Sequence, residues 1–382
     1  MVAGNIKPPR SLYVHVPFCQ HRCGYCNFTL IADRADLVDR YLNALEFEVN
    51  QWEGDFELDT LFLGGGTPSY LSGKQWNRLA GFLRQRFGFS KDLEFTAECN
   101  PNDLQAGRLD AMLEAGVNRV SLGVQSFDDR KLKFLERTHT QADAIDSIQR
   151  AKRLFSDVSI DLIFACPDER EDTWADDLST AVSLQTDHVS TYELTYEKGT
   201  RFWNRLHRGE LRLVDTNLRA KLYECAIKTL TAAGWEQYEV SSFAKPEHRC
   251  RHNQVYWKGD SFLAAGPGAS RFLGDIRETN HRSTTRYLQL LEANQSPVAE
   301  GESLDARSLA KDRIAFGLRL LDGVELGPFR DVTGFDLIDF LGDAGVLLRA
   351  QRLLTINRDV CQLTPRGVMV YDAIASEIYA LD

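Results

Sequence analysis

The sequence predicts an α/β protein with a mainly parallel sheet, and two observations support that prediction. First, short apolar runs of strand length alternate with stretches whose apolar residues recur every three or four positions, as on one face of a helix. Second, glycine and polar residues recur where successive strands end, which is typical of α/β proteins with a site at that edge. Six such units within about 190 residues fit a barrel-like or open sheet.

The six predicted strands are apolar runs bounded by turn-forming or polar residues. They lie at 12–16, 60–63, 93–97, 119–124, 158–164 and 189–194. Apolar residues with helical spacing lie between them at 37–49, 76–83 and 144–151. Because β-α-β connections are right-handed and join parallel strands, we expect the carboxyl ends of these strands to share one edge.

Chemistry-bearing residues follow or end these strands. A cysteine-rich loop follows the first strand, and a Gly-Gly-Gly-Thr-Pro segment at 64–68 follows the second. Glu98, Gln125, Asp161 and Glu193 lie in or just after the other four. A single loop of this kind would be an ordinary turn, but six at one edge predict a functional site.

The composition is that of a globular protein, with 43% hydrophobic and 26% charged residues among 382. The formal net charge of −10 disfavours nucleic acid as a partner. No window approaches the ~20 consecutive apolar residues of a membrane-spanning helix, and the N-terminus lacks the apolar stretch of a signal peptide. We therefore predict a cytoplasmic protein without an integral membrane segment, whose cysteines stay reduced.

Three regions are predicted along the chain: a core domain at 1–244, a connecting segment at 245–299 and a small α+β domain at 300–382. Residues 245–286 carry eight lysines and arginines against four acidic residues. The last region reads as helices followed by a hairpin, which resembles a winged helix. Its predicted helices lie at 304–321 and 335–341, its strands at 344–348, 353–356 and 360–363, and a final helix opens at 365.

The cysteine loop has the spacing Cys-x3-Cys-x2-Cys, formed by Cys19, Cys23 and Cys26. Three thiolates within eight residues can surround one compact inorganic centre, and on a four-iron cluster they would leave one iron open. Zinc is the alternative, with His21 as a fourth ligand, although structural zinc sites usually combine two separated ligand pairs. The other cysteines are scattered singly, at Cys99, Cys166, Cys225, Cys250 and Cys361.

Together these motifs resemble the radical S-adenosylmethionine (SAM) superfamily. The nearest branch contains oxygen-independent coproporphyrinogen III oxidases and HemW-type haem chaperones. The resemblance covers nearly the whole chain. Beyond the cysteine and glycine motifs, it rests on segments 13–19, 123–127, 190–200, 238–246 and 251–257.

The resemblance implies a partial (β/α)6 barrel of the TIM type, with a [4Fe–4S] cluster on the three loop cysteines. It also implies that SAM chelates the open iron, that the reduced cluster passes an electron to the sulfonium, and that the electron comes from a donor such as flavodoxin or ferredoxin. Glycine lacks Cβ, so the backbone can approach SAM closely. The resemblance places the following residues in one or two SAM sites: Tyr13, Tyr25, Gly65, Gly66, Thr67, Glu98, Gln125, Arg137 and Asp161.

Two departures from the oxidases favour the chaperone branch. The oxidases have a fourth cysteine where this chain has Phe28, and they have a longer extension before the first strand. The His-Asn-x-x-Tyr-Trp segment, with His252, Tyr256 and Trp257, also resembles the chaperones. We expect haem binding and transfer to an unidentified acceptor protein, not coproporphyrinogen oxidation. The alternative is a radical enzyme that acts on a tetrapyrrole, and whether SAM is cleaved stays open.

A haem carrier needs an axial ligand, apolar surface and cations for the propionates. His252 is the predicted axial ligand, and Cys250 is a second candidate. Tyr256 and Trp257 supply aromatic surface, and the basic segment at 245–286 supplies cations.

Overall fold

A computed structural model describes residues 8–104 and 106–381 of the chain. The prediction that no signal peptide is present concerns in part residues 1–7, which lie outside the described residues. The strands are β1 (Ser11–Val16), β2 (Phe18–Cys19), β3 (Ile31–Ala32), β4 (Glu57–Gly65), β5 (Gly88–Cys99), β6 (Arg119–Gln125), β7 (Asp157–Phe164), β8 (His188–Glu193), β9 (Glu236–Gln237), β10 (Ser242–Ala244), β11 (Leu263–Ala265), β12 (Ser270–Leu273), β13 (Ile276–Asn280), β14 (Val298–Ser303), β15 (Val324–Glu325), β16 (Leu354–Asn357) and β17 (Val360–Leu363).

The helices alternate with the strands of the first two thirds, as the apolar spacing predicts. They are α1 (Val38–Asn50), α2 (Gly73–Arg86), α3 (Ala106–Glu114), α4 (Asp129–Phe134), α5 (Gln141–Leu154), α6 (Glu171–Leu184), α7 (Arg201–His207), α8 (Thr216–Ala232), α9 (Arg251–Lys258), α10 (Thr284–Glu292), α11 (Ala306–Gly317), α12 (Leu326–Thr333), α13 (Leu337–Ala350), α14 (Pro365–Val368) and α15 (Tyr371–Tyr379). None of the helices in the described part is both long and apolar enough to cross a membrane.

A nine-stranded sheet forms the core, in the order β11-β1-β4-β5-β6-β7-β8-β10-β9. The strands from β11 to β8 are parallel, and β10 and β9 pair antiparallel at one edge. The six predicted strands are β1 and β4 to β8, which lie side by side. The fold prediction of a partial α/β barrel is therefore confirmed, and the carboxyl ends of the six strands meet at one edge.

Local sequence fixes where several helices begin. Ser72 caps α2 by accepting a hydrogen bond from the backbone of Gln75, whose side chain returns the contact to the Ser72 backbone. Thr140 and Asp143 form the same reciprocal cap before α5. These caps start the helices directly after the loops of the site, so they fix where each loop ends.

The C-terminal region has its own hydrophobic core, which includes Ile314, Phe329, Leu341 and Ile374. It combines helices with the three-stranded sheet β15-β17-β16, as predicted for a winged-helix-like domain. The domain boundaries stay a prediction, and two strands bear on them: β11 of the connecting segment pairs with β1, and β14 crosses residue 300.

The predicted strand at 344–348 is wrong, because this segment lies inside α13. Asp336 caps that helix by accepting from the backbone N–H groups of Ile338 and Asp339. Gly342 breaks its regular geometry with φ +48° and ψ −133°. A short apolar run next to a glycine fits a strand or a buried helix equally well, and here the packing of one helical face decides.

Candidate metal and cofactor site

A cavity of about 1270 Å³ opens at the carboxyl ends of the parallel strands. Twelve of the thirteen residues predicted to bind metal or cofactors line it, and His252 does not. The twelve are Tyr13, Cys19, Cys23, Tyr25, Cys26, Gly65, Gly66, Thr67, Glu98, Gln125, Arg137 and Asp161. Because the parallel strands end at one edge of the sheet, residues from six different strands and the loops that follow them meet in this cavity.

The cysteine loop leaves the sheet after β1 and returns through the short parallel pair of β2 and β3. Cys19 ends β2, and its Sγ lies 3.0 Å from the Thr67 hydroxyl of the glycine loop. The backbone N–H of Cys26 donates to the carbonyl of Cys23, which tightens the turn. A Cβ on Gly24 would lie 2.4 Å from the Phe202 ring, so the close packing of this turn requires glycine.

The three thiols are free, and the surroundings of two of them disfavour the anion. Burial raises the pKa of Cys19 to about 12, and burial also raises the pKa of Cys26. A bound cation would stabilise the thiolate forms of these two residues. Their sulfurs do not all lie within 4.8 Å of one another, as the ligands of one ion would. This spacing suits the separate irons of a cluster better than one zinc ion.

The glycine loop at the end of β4 is a place where the site depends on residues without a side chain. Gly65 has φ +102°, and a Cβ there would lie 2.3 Å from the His15 ring. At Gly66, a Cβ would come within 2.7 Å of the backbone carbonyl oxygens of Val16 and Phe18. The loop thus presents bare backbone to the cavity next to the cysteines.

Two partly buried carboxyl groups also line the cavity, and one of them contacts this loop. Glu98 accepts a hydrogen bond of 2.9 Å from the Gly65 N–H, and Asp161 accepts from the Ser121 hydroxyl at 3.3 Å. Burial and the nearby charge of Asp161 raise the pKa of Glu98 to about 7. Burial raises the pKa of Asp161 to about 6, an effect that Arg119 opposes. Both groups can accept from ammonium or hydroxyl groups of a ligand.

Arg137 joins the cysteine loop to two strand ends. Its guanidinium donates to the Asn100 amide oxygen at 2.6 Å, to the Gly123 carbonyl at 2.7 Å and to the Cys23 sulfur at 3.5 Å. Asn100 in turn donates to the Thr67 hydroxyl at 2.8 Å. No carboxylate among the described residues lies within 4.0 Å of this guanidinium, so it can pair with an anion brought by a ligand.

The remaining predicted residues close the cavity walls. The Tyr13 hydroxyl lies 3.1 Å from Nδ1 of His15, and the Tyr25 ring packs edge-on against Phe202. Gln125, at the end of β6, has φ +69°, a backbone geometry that is uncommon for a residue with a side chain. Such strain is often found at functional sites, because the surrounding structure must hold it.

His252 lies on α9, outside the cavity, and is only 1% exposed. Its Nδ1 lies 2.8 Å from the Thr60 hydroxyl, and its Nε2 lies 2.7 Å from the Tyr256 hydroxyl. The ring also stacks on Phe62. With both nitrogens occupied, His252 is not available to ligate haem in this conformation. Its predicted role as a haem ligand therefore has no support in this geometry and stays untested.

Several cavity residues escaped the sequence analysis. His15 lies two residues after Tyr13, on the same face of β1, and this alternation was the available signal. Asn100 directly follows the end of β5, and the recurrence of polar residues at strand ends was the available signal. The far wall comes from the C-terminal domain at 368–373 and from Arg319, which no local pattern connects to the site.

The described residues contain one group that is close enough to hold a single ion, and it lies at the opposite ends of the strands. Asp157, Asp187 and His248 place ligand atoms within 4.8 Å of one another. Arg119 lies 3.5 Å from Asp157, and Lys245 lies 4.0 Å from Asp187. These cations already balance the carboxylates, so the group is explained as an ion-pair network.

Comparisons with known proteins agree with this arrangement. A family model described as the Radical SAM superfamily matches residues 13–181, and one described as the HemN C-terminal domain matches residues 304–370. The solved structure of coproporphyrinogen III oxidase from Escherichia coli superposes with a TM-score of 0.85. It covers 99% of this chain and 91% of that chain at 24% identity, which shows a common fold.

Relatives of similar length identify the branch. A Bacillus subtilis protein named "Heme chaperone HemW" is 36% identical over 366 residues, which cover 94% of this chain and 97% of that protein. An Escherichia coli protein of the same name is 39% identical over 272 residues, which cover 69% of this chain and 70% of that protein. The chain therefore belongs to the radical SAM superfamily and, within it, to the HemW family.

Proposed function

We propose that this protein is a haem chaperone that binds a [4Fe–4S] cluster, SAM and haem, and that transfers haem to an acceptor protein. The observation that carries the proposal is the single cavity, whose lining includes three free thiols, two partly buried carboxyl groups and residues of the C-terminal domain. The names of relatives that match nearly the whole chain support the same function.

Cys19, Cys23 and Cys26 would hold the cluster, since they line the cavity and their sulfurs are spaced more widely than the ligands of one ion. The chemistry that a bound cluster supplies in this superfamily is one-electron reduction of the SAM sulfonium. The chain prepares the site with two contacts. Thr67 lies against the Cys19 sulfur, and the Arg137 guanidinium donates to the Cys23 sulfur.

SAM would lie beside the glycine loop and the partly buried carboxyl groups. Gly65 and Gly66 would let backbone approach the ligand, and the Glu98 and Asp161 carboxyls could accept from its ammonium or ribose hydroxyls. Arg137 would supply a cation for the ligand carboxylate.

Haem would occupy the part of the cavity next to the C-terminal domain, since the volume of the whole cavity exceeds that of most small-molecule sites. This part is lined by Tyr192, Tyr223, Met369 and Val370, with Arg219 and Arg319 among them. Apolar surface with interspersed cations suits a flat ligand that carries carboxylates. Three further points are predictions from the sequence. They are the acceptor protein for haem, an electron donor such as flavodoxin or ferredoxin, and the cytoplasmic location.

The alternative function is a radical enzyme that acts on a tetrapyrrole. The two functions differ in whether the protein converts a tetrapyrrole substrate into a product. Anaerobically reconstituted protein should form a saturable Soret band with haem, and should pass that haem to apomyoglobin, used here as a probe acceptor. With coproporphyrinogen III, a reductant and SAM, it should form no protoporphyrinogen. Formation of protoporphyrinogen would replace the chaperone function with the oxidase, and absence of a Soret band would refute haem binding.

A further inference from the structure

Phe28 is an exposed aromatic residue on the wall of the cavity. Its side chain is 62% exposed, although it lies in the loop directly after the third cluster cysteine. Burial of such an apolar side chain by a ligand would be favourable. A large aromatic group left in solvent at the rim of a cavity is a natural contact for an apolar ligand.

The backbone around Phe28 is held in place from two sides. Arg22 donates to the carbonyl of Phe28 at 3.2 Å and to that of Leu30 at 2.9 Å. Arg282 donates to the Asn27 carbonyl at 2.8 Å and to the Thr29 hydroxyl at 3.3 Å. The ring is therefore carried by an anchored loop, so less ordering of the loop is needed when a ligand packs on it.

Arg282 is the second unusual group at this rim, because it has no carboxylate partner within 4.0 Å among the described residues. Other arginines of the wider cavity are paired: Arg219 with Glu193 at 2.5 Å, and Arg319 with Glu239 at 2.9 Å. Arg282 instead lines the cavity while its donors meet only neutral oxygens. Its charge is free to pair with an anionic ligand.

The rest of the basic segment does not compete for this role. Lys245, Arg249, Arg271 and Arg277 form ion pairs with acidic side chains, and Arg251, Lys258 and Arg286 do not line the cavity. Of the eight basic residues at 245–286, Arg282 alone lines it. Of the residues that give this segment its positive charge, only Arg282 therefore reaches the site.

We propose that Phe28 and Arg282 form the contact for the edge of the haem at the mouth of the cavity. Phe28 packs against the macrocycle, and Arg282 pairs with a propionate. The proposal deepens the haem-chaperone function and rests on it. An aromatic face and an unpaired guanidinium, both fixed to one loop, match a flat apolar ligand with a carboxylate at its edge.

The test compares haem with its dimethyl ester, in which both propionates are neutral, by absorbance titration of the reconstituted full-length protein. Arg282→Ala should weaken haem binding about tenfold and leave ester binding within twofold, since it removes a charge-assisted contact that only the free propionate can make. Phe28→Ala should weaken both ligands by the same factor, because it removes packing only. Phe28→Trp should restore both.

Two matched variants control for surface changes. Arg286→Ala removes a nearby exposed cation that does not line the cavity, and Leu213→Ala removes an apolar side chain that is 65% exposed elsewhere. Both should bind haem like the parent protein. Iron content and cluster absorbance, measured for each variant, show whether the cysteine loop is intact.

Three results would overturn the proposal. If the parent protein binds haem and neither Phe28→Ala nor Arg282→Ala changes the affinity, the contact lies elsewhere and the chaperone function stands. If Arg282→Ala weakens haem and ester equally, or lowers iron content, Arg282 only braces the loop. If the parent protein binds no haem, the proposal falls together with the haem-chaperone function.

Discussion

The two most specific motifs of the chain lie in the cysteine loop and on helix α9. They differ in whether the side chains with ligand chemistry face the cavity. The loop directs three free thiols into the cavity. Helix α9 buries His252 and uses both of its ring nitrogens in hydrogen bonds to Thr60 and Tyr256. A motif identifies residues with suitable chemistry, but a ligand also needs atoms that are not already engaged.

The start of α9 shows what the helix does instead. The Glu94 carboxylate accepts hydrogen bonds of 2.8 and 2.9 Å from the backbone N–H groups of Arg251 and His252. A carboxylate at a helix N-terminus stabilises it. Tyr256, one turn later, reaches the cavity wall. Helix α9 therefore supports one wall of the site, while the cysteine loop forms the site itself.

The largest expected effect lies on the loop side. A triple variant, Cys19→Ala with Cys23→Ala and Cys26→Ala, should lose all iron and the broad visible absorbance of the cluster, because no other cysteines are grouped. A double variant, Cys225→Ala with Cys361→Ala, should keep both, since neither residue lines the cavity. Iron and sulfide analysis after anaerobic reconstitution measures the difference. Iron retained by the triple variant would place the cluster elsewhere.

The glycine loop gives the next effect. Gly65→Ala places a Cβ 2.3 Å from the His15 ring at a residue with φ +102°, so it should lower the free energy of unfolding by about 1–3 kcal/mol and weaken SAM binding at least tenfold. Gly81→Ala, in the open middle of α2, should instead raise stability by about 0.5–1 kcal/mol. Chemical denaturation and calorimetric SAM titration test both. Normal SAM binding by Gly65→Ala would contradict the close approach of backbone to ligand.

On the α9 side, the expected effect is on stability. His252→Ala removes the hydrogen-bond partner of the partly buried Tyr256 hydroxyl and leaves the buried Thr60 hydroxyl with Ser11 alone, so it should lower the free energy of unfolding by about 1–3 kcal/mol. His207→Ala, which removes an exposed imidazole, should change it by less than about 0.5 kcal/mol. Urea denaturation compares the two. Equal stability of His252→Ala and the parent protein would show that His252 is not structural.

The smallest effect is a pH dependence on the cavity side. The pKa of Glu98 is raised to about 7, so between roughly pH 4.5 and pH 7 the folded protein keeps a proton that the unfolded chain releases. The free energy of unfolding should therefore fall as pH rises through this window, and Glu98→Gln should flatten that slope. Denaturation of SAM-free protein at several pH values measures it. An identical slope in Glu98→Gln would assign the dependence to other groups.

The sequence was informative where a local pattern determines position. Strand periodicity predicted β1 and β4 to β8, and parallel pairing then brought Glu98, Gln125 and Asp161 to one edge. It was misleading at 344–348, where a short apolar run fitted both a strand and a helix.

Other features depend on packing between distant parts of the chain. The Thr60 hydroxyl hydrogen-bonds to one ring nitrogen of His252, although the two residues are 192 positions apart in the chain. The freedom of Arg282 depends on which acidic residues pair with its basic neighbours, and net charge alone does not reveal that.

The most direct test titrates haem into two reconstituted variants side by side, one from each region. Arg282→Ala, on the cavity side, should weaken haem binding about tenfold. His252→Ala, on α9, should keep the affinity and the Soret maximum of the parent protein, whatever it loses in stability. The reverse result, with haem binding lost in His252→Ala and unchanged in Arg282→Ala, would contradict the assignment of the cavity as the haem site.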